Sequence, residues 1–115
     1  MVLLIGTNDI GLARRSGQDA AAGVTAVVAK LKEKAPQARI LLMAITPKGR
    51  GQDRVEAANK IICKLHDGKQ VFYQDISAAL RKTPGCIADR VGHLTSKGFE
   101  VWADEIRPTL KKLME

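Results

Sequence analysis

Three polar residues, Asn8, Asp89 and His93, stand in settings that suit proton transfer and charge stabilisation at a reacting carbonyl. Asn8 lies in Gly6-Thr7-Asn8-Asp9, directly after an apolar run. Its side-chain amide can donate to a developing oxyanion, or it can close a local turn, as Asn and Asp commonly do after strands. His93 precedes Leu94-Thr95-Ser96-Lys97-Gly98-Phe99-Glu100-Val101-Trp102, and an imidazole with an ordinary pKa of about 6.5 suits a general base at neutral pH. The plain alternative is a surface histidine. Asp89 can orient such a base through one ring nitrogen, or it pairs with Arg90 or solvent. His66 falls inside a predicted helix and reads as an exposed helical residue.

An attacking hydroxyl is harder to find. The chain has Ser16, Ser77 and Ser96, none in a Gly-x-Ser-x-Gly elbow. Ser16, in the loop after Asn8, is the candidate nearest to the other groups, while caps and surface roles suit all three. Thr46-Pro47 follows the second apolar run. Lys48, Gly49, Arg50 and Gly51 make the following loop basic, but the Gly-x-x-x-x-Gly-Lys-Ser/Thr spacing of a phosphate loop is absent.

Positioning these residues requires a frame, and the hydrophobic pattern supplies one. Near-continuous apolar runs at Val2 to Gly6, Arg39 to Ile45 and Gln70 to Asp75 predict strands buried on both faces. Between them Val24, Val27, Val28 and Leu31, then Val55, Ala58, Ile62 and Leu65, repeat at helical spacing. Pro36 and Asp67-Gly68 end those helices. Thr95 is the predicted N-cap of a last helix that buries Phe99, Trp102, Ala103 and Ile106 and is kinked or restarted at Pro108. Alternating strands and helices predict an α/β layer fold. In such a fold ligands bind at the carboxyl ends of strands, where Thr7-Asn8-Asp9, Thr46-Pro47-Lys48 and Asp75-Ile76-Ser77 fall.

Composition narrows the possibilities further. A length of 115 residues suits one domain, 1–115, and an aromatic content of 3% demands an aliphatic core. The net charge of +7 comes from Lys and Arg scattered along the chain without interleaved aromatics, a pattern that argues against a specific nucleic-acid surface. Cys63 and Cys86 have no metal-ligand spacing and read as reduced thiols. No apolar stretch is long enough to span a membrane. Without a leader in this chain the expected location is cytoplasmic.

The ordered pair of motifs, Val2 to Asp9 and His93 to Ala103, resembles the oxyanion and histidine segments of the SGNH (GDSL-type) esterases, in particular their platelet-activating-factor acetylhydrolase-like branch. The resemblance implies a three-layer, flavodoxin-like sheet of which this chain supplies the third, fourth and fifth strands, truncated at the amino end relative to the family. It implies hydrolysis of small acyl esters with no cofactor or metal, with His93 as base, Asp89 as its acid and Asn8 as oxyanion donor. Two departures stand out. The Gly-Asp-Ser segment that carries the family's nucleophile is not in this sequence, and Asp89 precedes His93 by four residues where the family has three. Esterase, noncatalytic binding module and fragment completed by another chain are the readings that follow. An exposed first strand would also favour a homo-oligomer.

Overall fold

The computed structural model describes residues 2–3, 16–46, 52–87 and 94–114. Three parallel strands, β1 (Val2–Leu3), β2 (Ile40–Met43) and β3 (Val71–Gln74), form a sheet in that spatial order. Val2 pairs with Leu41, and Ile40 with Val71. Four helices accompany them: α1 (Gly17–Lys34), α2 (Gln52–Ile62), α3 (Ser77–Lys82) and α4 (Ser96–Leu113), with a single 3-10 turn at Cys63–Leu65 after α2.

The side chains of β2 explain the layering. All four are buried, and they alternate between two cores, as the period of two in a strand requires. Ile40 and Leu42 face Ala20, Ala21, Val24 and Val28 of α1 and Val55, Ala58 and Ile62 of α2. Leu41 and Met43 face Leu80 of α3 and Ile106 of α4, with Val101, Trp102 and Leu110 packed around them. The protein is therefore an α/β sandwich of helices, sheet and helices. Truncating Leu41 or Leu42 to alanine would remove about 2–5 kcal/mol through lost burial and the cavity left behind.

Several boundaries differ from the sequence expectation for local reasons. α1 runs past its valine stripe in both directions, starting at the Ser16 cap and ending at Ala35, the residue before Pro36. α3 is an additional short helix that periodicity did not reveal, since only Leu80 of its six residues is buried. α4 continues through Pro108 as one element; Ile106 before the proline and Leu110 and Leu113 after it pack on the same core. Its buried face is also rotated from the expected one: Ile106 is buried, but Phe99 is 52% exposed and Ala103 is exposed. Among the described residues no helix is long and apolar enough to cross a membrane.

His66 is not helical. It follows the 3-10 turn, accepts the Tyr73 N–H at Nδ1 (3.0 Å) and meets the Phe72 ring edge-on. Beside it Asp67 organises the turn into β3: one carboxylate oxygen accepts the backbone N–H groups of Lys69, Gln70 and Val71 at 2.8–2.9 Å. These bonds, that from Lys69 foremost, hold the Asp67 carboxyl well below its usual value of 3.8. A lowered folded-state pKa stabilises the fold fully above the unfolded value, and that contribution disappears as pH falls through the folded value. Replacing Asp67 by Asn should therefore lower the urea midpoint at neutral pH, with the gap from wild type narrowing as pH drops below 3.8. Parallel curves at all pH values would contradict this assignment.

Candidate active site

The carboxyl ends of the strands are fixed by contacts that single-sequence patterns do not disclose. After β2, Ile45 is fully buried and lies outside the ladder, so its main-chain groups need other partners. Asn59 of α2 supplies both: its Oδ1 accepts the Ile45 N–H at 2.8 Å and its Nδ2 donates to the Ile45 carbonyl at 3.2 Å. This clamp adjoins buried Thr46, the last described residue before Gln52. At the start of α1, Gly17 lies so close to α2 that a Cβ there would come within 2.7 Å of the Arg54 carbonyl and of Ala57. The segment that follows β1 thus rejoins the frame at a tightly packed point.

The histidine motif is held in a similar way. Ile87 and Leu94, the described residues on either side of 88–93, form an antiparallel bridge. The Thr95 N–H donates to the Cys86 carbonyl (2.9 Å), and the Thr95 hydroxyl donates to the Gly85 carbonyl while accepting the Gly98 N–H (3.1 Å). Thr95 thereby caps α4, as its position before the helix predicted. Gly98 has a second reason to be glycine: any Cβ would collide with the Cys86 carbonyl. The Thr-x-x-Gly part of the motif is thus a packing device. It docks the first turn of α4 on Cys86, a buried residue among Leu41, Met43 and Ile76.

Asn8, Asp89 and His93 lie outside the described residues, as do Lys48 and Arg50. The serines are described, and each begins a helix. Exposed Ser16 accepts the Asp19 N–H at 3.1 Å as the N-cap of α1. Ser77 opens α3 with its N–H bonded to Asp75 Oδ1 (2.8 Å), and Ser96 opens α4 in an exposed position.

One polar cleft was not foreseen. It encloses about 750 Å³ beside the end of β3, with Asn59, Lys60, Cys63, Tyr73, Asp75 and Arg81 in its wall. Burial, then the charge of the nearby Asp75 carboxylate, push the Tyr73 hydroxyl up, so it is a neutral phenol near neutral pH. Tyr73 stands between Phe72 and Gln74 in β3, and nothing in that short run marks it in sequence as lining a cleft. Among the described residues no group of three His, Cys, Asp or Glu could hold a metal ion.

With this geometry in view, comparison with known proteins is decisive. Residues 1–101 match the model of the GDSL-like lipase/acylhydrolase family. The chain belongs to that family. It is 34% identical over 68 residues to the platelet-activating factor acetylhydrolase IB subunit beta homolog of Drosophila melanogaster, a match covering 59% of this chain and 29% of the relative. Its fold is similar to that of a carbohydrate esterase family 3 protein from Talaromyces cellulolyticus (TM-score 0.80, 24% identity, covering 97% of this chain and 56% of the other). A putative platelet activating factor from Streptococcus pneumonia gives a TM-score of 0.78 at 21% identity, with 95% and 58% coverage. The chain spans under a third of the curated relative and a little over half of these two structures. The GDSL-type family expected from the two motifs is thereby shown for the chain, together with the three-layer α/β fold.

The docking of α4 makes a direct prediction. Thr95→Ala removes the cap and leaves the Gly98 N–H without it, a loss of about 1 kcal/mol in urea unfolding, while Thr95→Ser retains most of that stability. Gly98→Ala should cost more than Thr95→Ala despite the better helix propensity of alanine, because the clash is with main chain. A stabilised Gly98→Ala variant would refute the close approach to Cys86.

Proposed function

We propose that this chain is a carboxylic ester hydrolase of the SGNH type acting on small acyl esters. The observation that carries the reading is the extent of the family match: residues 1–101 include the first motif and the second as far as Val101, and hence Asn8, Asp89 and His93. Those residues take the roles that their chemistry suits. His93 removes the proton from an attacking hydroxyl or water, and the oxygen adds to the ester carbonyl carbon. The Asn8 amide donates to the oxyanion that forms. Asp89 orients His93 and stabilises its protonated form, and collapse of the intermediate expels the alcohol, which takes the proton back from His93. The similarity to proteins named acetylhydrolase and esterase supports an ester substrate.

The noncatalytic reading has one observation in its favour. Ser16, the serine nearest in sequence to Asn8, uses its hydroxyl oxygen to cap α1, and Ser77 and Ser96 sit at helix starts. A cap can be removed without touching chemistry, whereas a nucleophile cannot.

An assay with a short-chain p-nitrophenyl ester separates the two. Wild type should turn over, His93→Ala should lose at least about 100-fold, the scale of a positioned base, and Asn8→Ala a comparable factor, the scale of an oxyanion donor. Ser16→Ala, Ser77→Ala and Ser96→Ala then show whether a hydroxyl of the chain attacks. Turnover untouched by His93→Ala would overturn the proposal; no turnover, with no labelling by a serine-directed phosphonate, would establish the binding module instead.

A further inference from the structure

Lys and Arg are scattered along the sequence, but the crossovers gather many of them in space. The helices of a parallel layer fold run back against the strands, so helix ends and strand starts share one side of the molecule. Three contacts show how closely they meet. Lys32 near the end of α1 reaches Asp67 in the turn before β3 (3.5 Å), and Gln70 Nε2 donates to the Ala35 carbonyl (3.1 Å). Arg39, at the entry to β2, donates to the Leu113 carbonyl at the end of α4 (2.6 Å). To this side α1 also brings Lys34, the 3-10 turn Lys64, the turn before β3 Lys69, and α4 both Lys111 and Lys112.

Counting Lys30, which pairs with Glu33 (3.9 Å), eight exposed cations stand here against two carboxylates, Glu33 and Asp67. One oxygen of Asp67 is already committed to three backbone N–H groups. The other described residues carry six cations and seven carboxylates, so the net positive charge of the described residues sits entirely at this end. Offsetting helix dipoles explains lysines in the last turns of α1 and α4, but Arg39 and Lys69 belong to no helix. Taking so many like charges out of water unpaired is costly. Whatever meets this end must therefore be anionic.

We propose that this end of the molecule docks on an anionic lipid surface. Residue type favours a bilayer over a nucleic acid: seven of the eight cations are lysines, point charges suited to a diffuse field of headgroups. Reading of phosphates and base edges favours the guanidinium fork instead. α1 and α4 present only their last turns here, so neither offers the side of a helix that would lie in a groove. The cations come from several separate elements, a spread that matches a broad layer of headgroups. A chain docked this way holds the carboxyl ends of its strands away from the lipid, and the docking is independent of ester hydrolysis.

Sedimentation of the full chain with vesicles tests this surface. The chain should pellet with equal parts phosphatidylcholine and phosphatidylserine, stay in solution with phosphatidylcholine alone, and be released as sodium chloride screens the attraction. Lys34→Glu with Lys69→Glu should weaken binding at least about tenfold, with an unchanged circular-dichroism spectrum, since each lysine near such a surface contributes about fivefold. Lys64→Gln with Lys112→Gln, a milder pair on other elements, should weaken it about fivefold or more. Lys82→Glu with Lys97→Glu changes the net charge as much as the first pair at exposed positions away from this end. It should alter binding less than about twofold, because charges beyond a Debye length from the lipid are screened. No pelleting with the mixed vesicles, equal pelleting with phosphatidylcholine alone, or equal losses from the two ends would each overturn the proposal. Retardation of duplex DNA without any pelleting would hand the surface to nucleic acid instead.

Discussion

Burial of β2 on both faces is the constraint from which the rest of the molecule follows. A strand with no solvent face cannot alternate polar and apolar residues, so Ile40, Leu41, Leu42 and Met43 are all apolar, and helices must cover both sides. The parallel neighbours β1 and β3 need crossovers rather than hairpins, which is why α1 and α2 come between the strands. The same arrangement sends every strand out at one end of the sheet. The segments that follow the three strands therefore all set out from that end.

Much of this frame was legible in the sequence because it rests on repetition. Three apolar runs gave the strands to within one or two residues at the ends that are described, and the spacing of Val55, Ala58 and Ile62 gave the face of α2. Thr95 was recognisable as a cap because capping depends on one side chain and its immediate neighbours. The errors fell where a distant partner decides. His66 looked helical in its local setting, but its ring nitrogen is taken by a main-chain group of β3. Phe99 and Ala103 fitted the apolar stripe of α4, yet docking of Gly98 on Cys86 sets the rotation of that helix, and no local pattern encodes a contact twelve residues away.

The candidate site was legible in a different sense. Asn8, Asp89 and His93 emerged from residue type and motif order, and all three lie outside the described residues. What sequence could not supply was the scaffolding that holds the segments bearing them: the paired amide of Asn59 on Ile45, the close approach of Gly17 to α2, and the Ile87–Leu94 bridge. Each brings together two elements whose polar or small residues have no periodicity. An Asn in the middle of α2 reads as a weak helix former until the buried main chain that it satisfies comes into view.

The bridge between Ile87 and Leu94 has a thermodynamic consequence for the proposed base. A chain segment whose two ends are tied has already lost much of the entropy of closure, and the bridge ties the two described residues that flank 88–93. Ordering a catalytic group in advance lowers the cost of reaching the transition state, because less freedom is left to be surrendered at that moment. The carbonyl of Cys86 and the missing side chain of Gly98, which touch no reacting atom, would on this view set the entropy of the step that His93 performs.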